Sequence, residues 1–200
     1  WPLLRDFRHE SRRTADCTSF LAFSGELAAA GSPEGLLDRL TAFYQTHGVG
    51  LLGMGQVFRA RRTGNGAELV PVEDRPPVRL ADLVGYRQQK DLLIRNTEAF
   101  LRGKGSNNVL LYGDAGTGKS TSIQALVNEY ADQGLRLIEL YKEQYDLIPD
   151  ILRQVKGRNY RFLLFLDDLS FEENETSYKY LKAVMEGGAE APPENVRICA

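Results

Sequence analysis

Cysteine and histidine are scarce in this sequence, two of each among 200 residues. Cys17 and Cys199 lie far apart, with neither CxxC spacing nor a nearby histidine pair, so the pattern gives no zinc site and both read as reduced thiols. His9 and His47 are isolated, which suits surface or packing roles rather than metal binding or catalysis. No apolar run approaches the roughly 20 residues that cross a bilayer, and the start lacks the charged-then-apolar pattern of a signal peptide. A soluble, cytoplasmic protein with no membrane partner is expected. Neither sign of charge dominates: 25 Lys and Arg stand against 27 Asp and Glu, a formal charge of −2. Bulk electrostatics therefore give no support for nonspecific nucleic-acid binding. The chain opens on Trp1 rather than Met, and its true start is expected upstream.

What the chain does contain is one sizeable core's worth of apolar residues, 42% of the total, arranged in alternating periods. Leu36, Leu37, Leu40, Phe43 and Tyr44 recur at helical spacing after Ser32-Pro33-Glu34, an N-cap with proline at the first helical position. An earlier stretch, Phe20 to Ala30, reads as another helix. Gln56 to Arg62 and Ala67 to Val72 flank Thr63-Gly64-Asn65-Gly66 and predict a hairpin. Glu73-Asp74-Arg75-Pro76-Pro77 breaks regular structure, so a boundary is expected there, separating residues 1–75 from residues 76–200.

Beyond it the spacing predicts a helix from about Arg87 to Arg102, with Leu92, Leu93, Thr97, Phe100 and Leu101 on one side. Val109 to Tyr112 reads as a strand buried on both faces. A helix striped by Ile123, Leu126, Val127 and Tyr130 ends at Gly134, followed by a strand over Leu135 to Leu140. Ile148 to Val155 is predicted helical, Arg161 to Leu166 a strand ending on Asp167 and Asp168, Asn174 to Glu186 a helix, and Val196 to Cys199 a fourth strand. Strand and helix alternate, so a parallel α/β sheet with flanking helices is expected.

Gly113-Asp114-Ala115-Gly116-Thr117-Gly118-Lys119-Ser120 joins the first of these strands to a helix and has the form G-x-x-x-x-G-K-[ST]. A triphosphate is held most readily by backbone N–H groups at a helix N-terminus, and glycines let the main chain curl close to it. Lys119 can reach the β- and γ-phosphates, and the Ser120 hydroxyl suits Mg²⁺. Together with the following Thr121, these residues are the candidate ATP site, although neither Asp114 nor the preceding Tyr112 need take part. Mg²⁺ keeps much of its water and is anchored through one or two carboxylates. Asp167 is the candidate to orient it, and Asp168 to polarise the attacking water. Two adjacent acids after a buried strand could instead be a solvated turn or a helix N-cap.

On these residues the sequence resembles the AAA+ P-loop ATPases, and more closely a bacterial family of AAA-type ATP-binding proteins; the likeness covers about Arg79 to Ala200. It implies that Val84, Gly85 and Tyr86 pack near adenine. It also implies a sheet in which the fourth strand lies between the phosphate-loop strand and the acidic strand. The family's acidic strand usually ends Asp-Glu, whereas this chain has Asp167-Asp168, a carboxylate shorter by one methylene. A fifth strand, a helical lid, sensor residues and an arginine finger would lie beyond Ala200, and an exposed phosphate-loop edge would invite pairing with another chain.

Three functions compete. The first is a Mg-dependent ATPase coupling nucleotide state to a conformational change in a homo-oligomer or partner protein. The others are a nucleotide-binding switch with little hydrolysis and a P-loop small-molecule kinase. Arg5, Arg8, Arg12 and Arg13, and on the hairpin Arg59, Arg61 and Arg62, form basic clusters that read as solvated surface more readily than as a nucleic-acid site.

Overall fold

The computed structural model describes residues 24–47, 51–64, 66–167 and 192–200. It divides into two compact units, residues 1–46 and 47–200. In the first, residues 24–28 are helical and helix α1 spans Pro33–His47. The expected cap is present: the Ser32 hydroxyl accepts from Gly35 N at 3.1 Å, while the Ser32 carbonyl accepts from Leu36 N at 3.0 Å. Arg39 donates to the Glu26 carbonyl, tying the two helical segments together.

The second unit is built on one sheet. A short helix α2 (Leu51–Met54) leads into β1 (Val57–Thr63) and β2 (Gly66–Pro71). Helix α3 spans Arg87–Leu101, α4 Lys119–Tyr130 and α5 Ile148–Val155, while β3 is Leu135–Leu140, β4 Arg161–Leu166 and β5 Val196–Cys199. The strand order is β2-β1-β3-β4-β5, parallel from β1 through β5 and antiparallel only at the β1–β2 hairpin.

Side chains alternate across this sheet, and each face buries its own cluster. Ile138 and Leu140 of β3, Phe162 and Leu164 of β4 and Phe58 of β1 pack with Ile151 and Val155 of α5. On the other face Leu135, Leu137, Leu163 and Phe165 meet Ile123, Leu126 and Val127 of α4 and Leu93 and Phe100 of α3. All six residues of β3 are buried, as a central parallel strand requires. Two of them are charged, and both are satisfied. Arg136 donates to the carbonyls of Leu52, Ala131 and Leu135 and lies 4.2 Å from the centroid of the Tyr160 ring. Glu139 accepts from Arg59 Nε at 3.0 Å. Burial of each charge is tolerated because partners replace the lost water.

The structure corrects three sequence expectations. The hairpin does not belong with the N-terminal segment: β1 pairs in parallel with β3, Val57 opposite Leu137, and the unit boundary falls at residues 46 and 47 rather than near 75. Phe58 and Ala60 of β1 are apolar and buried in the core on one face of the sheet, so their burial outweighs the break at Pro76-Pro77. Val109 to Tyr112 is not a strand buried on both faces. It makes a single parallel bridge, Val109 to Cys199, with Leu111 N donating to the Ala200 carbonyl, and Leu110 and Tyr112 are 65% and 90% exposed. Among the described residues this segment is the sheet's far edge, with one neighbour. Leu92 also departs from the expected stripe: it is exposed, while Leu93, Thr97 and Phe100 make the buried face of α3. The expected order does hold, with β5 between the phosphate-loop segment and β4. The helix expected at Asn174 to Glu186, the basic residues Arg5 to Arg13 and the turn residue Asn65 lie outside the described residues.

Candidate nucleotide site

The loop between residues 112 and 119 turns from the sheet edge into α4. Gly116 and Gly118 have φ of +77° and +84°, conformations that side chains with a Cβ adopt only with strain, and a Cβ at either would point into open space. The backbone conformation, not crowding, requires glycine here. Gly118 stands at the N-cap of α4 with no side-chain cap, and the first helical bond is Ser122 N to the Gly118 carbonyl. The amides of the first turn are therefore left to an incoming anion. Thr117 Oγ1 closes the loop on the Asp114 carbonyl at 2.9 Å.

Lys119 folds back across this turn. Its Nζ donates to the carbonyls of Gly113 and Asp114 at 2.8 and 2.9 Å. One residue on, Ser120 Oγ donates to Asp167 Oδ1 at 3.2 Å, bringing the first turn of α4 against the end of β4. Asp167 is anchored through its main chain, which donates to the Leu140 carbonyl and accepts from the Tyr145 hydroxyl. Asp168 lies outside the described residues.

Two clefts meet at the loop. One, of about 820 Å³, is lined by Gly113, Ala115 to Thr121, Asp167 and Ala200 among others. The other, of about 470 Å³, runs from Gly116 to Lys119 into an apolar recess formed by Leu83, Val84, Gly85, Tyr86, Leu93 and Leu110. A charged cradle continuous with an apolar slot suits a ligand with phosphate at one end and a flat base at the other. Val84, Gly85 and Tyr86 thus line the same recess. Tyr86 has a positive φ of 49°, directly after Gly85 at 83°, and this left-handed corner sets the ring at the head of α3.

Sequence reasoning did not single out Gln89 and Lys90, which also line the recess. Lys90 Nζ donates to the Leu83 carbonyl at 2.6 Å and so pins the segment before α3. Tyr86, Gln89, Lys90 and Leu93 are spaced three and four apart, so one face of α3 was the available signal. The hairpin arginines each have a carboxylate: Arg59 pairs with Glu139, Arg61 with Glu68 and Arg62 with Asp146. Their charge is spent within the fold, which agrees with the solvated-surface reading.

Comparison with known proteins gives the same superfamily. The chain is 36% identical over 90 residues to the replication factor C large subunit of Staphylothermus marinus, covering 44% of this chain and 21% of that protein. The corresponding subunit of Methanococcus vannielii is 31% identical over 104 residues, 49% of this chain and 21% of its own length. That of Aeropyrum pernix is 32% identical over 91 residues, 44% and 18% respectively. The matched part thus spans roughly a fifth of each relative. Residues 54–200, well over half of the chain, match the family described as Protein of unknown function (DUF815). The chain therefore belongs to that family, and its core is a P-loop domain of the AAA+ ATPase kind.

Proposed function

We propose that the joined clefts bind Mg-ATP, and that the protein hydrolyses it to drive a conformational change in a homo-oligomer or partner protein. The observation that carries this reading is the pairing of Ser120 with Asp167 beside Lys119, at the mouth of an uncapped helix. The residues fit the ligand. Among the described residues Lys119 donates to two loop carbonyls and can exchange them for phosphate oxygens, while the first-turn amides of α4 point into the same space. A hydroxyl and a carboxylate oxygen 3.2 Å apart offer the small, hard oxygen set that Mg²⁺ prefers. When bound, Mg²⁺ neutralises charge on the β- and γ-phosphate oxygens.

The roles of the chain's own residues follow. Gly113 to Thr121 cradle and orient the phosphates, Ser120 and Asp167 hold the metal, and Val84, Gly85 and Tyr86 flank the base. Asp168 would polarise the attacking water. The proposed setting is the cytoplasm, where a free thiol such as Cys199 stays reduced. A second reading, a nucleotide switch with little turnover, draws on Asp168 standing where the AAA+ pattern usually has glutamate.

The test is Mg-ATP affinity measured beside phosphate release, on the chain and on Lys119→Ala. Affinity should fall at least about tenfold in the variant, the loss of one charge-assisted contact. Unchanged affinity would show that the phosphate loop is not the site. Tight binding without turnover in the complete gene product would leave only the switch.

A further inference from the structure

At the amino ends of β4 and β5, the opposite strand ends from the nucleotide cleft, two arginines stand together. Arg161 opens β4, and Arg197 lies across from Leu163, so both project from the α3–α4 face of the sheet. Both guanidinium carbons sit over the buried ring of Phe100, 5.5 and 5.0 Å from its centroid. Both Nη1 atoms donate to one acceptor, the Glu194 carbonyl, each at 3.4 Å, so they lie within twice that distance of each other.

The remaining contacts are also to uncharged oxygens. Arg197 Nε donates to the Ser106 hydroxyl and carbonyl at 2.9 and 3.1 Å, and its Nη1 to the Val196 carbonyl at 2.7 Å. Neither arginine makes an ion pair with a carboxylate among the described residues, whereas Arg59, Arg61, Arg62, Arg102 and Arg153 each have one. Arg161 Nε and Nη2 and Arg197 Nη2 find no acceptor among the described residues. Fastening α3 to the sheet needs one cation on Phe100. A second, set against the first, adds repulsion, which the nearby Glu194 charge offsets in part without forming an ion pair with either arginine. Burial, and after it the Arg161 charge, pull the Arg197 guanidinium below its ordinary range, opposed by the Glu194 charge.

We propose that Arg161 and Arg197 form a binding site for a phosphate monoester, borne by a small phosphorylated molecule or a phosphorylated side chain of a partner. Two adjacent guanidiniums match a group carrying close to two charges and three acceptor oxygens. A nucleic-acid backbone offers one charge per phosphate and binds through an extended basic surface. Here Phe100 forms an apolar floor, and the Gly103 backbone closes one side, where a Cβ would sit 3.1 Å from Arg161 Nη2.

The test uses the full chain with ¹⁵N-labelled arginine, following the Nε–Hε resonances of Arg161 and Arg197 as phenyl phosphate is added at constant ionic strength. This local readout separates the site from the phosphate loop. Saturable shifts of both resonances are expected, absent in matched sodium chloride; in Arg161→Lys, which keeps the charge but loses the fork, the remaining Arg197 resonance should report affinity weakened at least tenfold. A phosphoserine peptide run beside phenyl phosphate distinguishes the sources: tighter binding of the peptide identifies a partner protein, and equal binding a small molecule. Shifts equal to those in chloride, affinity unmoved by Arg161→Lys, or a larger response to DNA lacking terminal phosphate would each overturn the proposal.

Discussion

Ser120 Oγ donates to Asp167 Oδ1 across 3.2 Å, and this contact joins residues from the start of α4 and the end of β4. The two strand-ends and helix-starts of a parallel sheet gather at one side, so a loop residue and a strand residue distant in sequence can share a cation.

Asp167→Asn should therefore separate metal from nucleotide. The amide keeps the shape and can still accept from Ser120, but it lacks the charge that favours Mg²⁺. ATP affinity in Mg²⁺ should fall about tenfold or more, roughly 1.4 kcal/mol, while affinity in EDTA changes little. Calorimetric titration under both conditions checks it. Equal losses in the two would place Asp167 in structure rather than at the metal.

Leu164 is fully buried in β4, on the face packed against α5. Leu164→Ala should cost about 2–5 kcal/mol, the transfer of its methyl groups plus the cavity left behind. Urea unfolding followed by circular dichroism reports the change. Leu92→Ala, on the exposed side of α3, should change stability by less than about 0.5 kcal/mol in the same assay.

Arg62 holds the Asp146 carboxyl below its ordinary value, first by hydrogen bonding to it. A depressed folded pKa means stability that is present above the unfolded value and is lost as pH falls through the folded one. Asp146→Asn should therefore unfold at a slightly lower temperature than the parent at neutral pH. The gap should close below the usual carboxylate range, about pH 4, and shrink at high salt because both side chains are exposed. Thermal scans at several pH values measure it; a gap that widens in acid would contradict the pairing.

Burial pushes the Cys199 thiol up to about 12, and the side chain is enclosed in β5 between β4 and the phosphate-loop segment. The thiolate is the reactive form, so Cys199 should resist alkylation near pH 8 in the native protein and react fully in denaturant. Peptide mapping by mass spectrometry distinguishes it from Cys17. Rapid native labelling would mean that the far edge of the sheet opens readily.

Much of the fold could be read from local pattern. β3, β4, β5 and α5 begin and end where their apolar runs do, because a fully buried strand and a proline-started helix announce themselves within a few residues. The phosphate loop was legible for the same reason: its glycines, lysine and serine act through one turn of backbone. The hairpin's place in the sheet was not, since pairing β1 with β3 joins residues far apart in sequence, and two prolines between them resembled a boundary. Nor was the exposure of Leu110 and Tyr112, which follows from edge position rather than from their own character.

The sequence alone determined the chemistry available, a loop able to take phosphate followed downstream by a strand ending in carboxylate, because such motifs are contiguous and their physics is short-ranged. Only the tertiary structure decided which groups meet. It brought Asp167 to Ser120, turned one face of α3 toward the apolar recess and paired the hairpin arginines with acids. It also set Arg161 and Arg197 together with no carboxylate ion pair to either among the described residues. Those outcomes depend on strand order and register, which are set by the burial of both sheet faces at once and are written in no single segment.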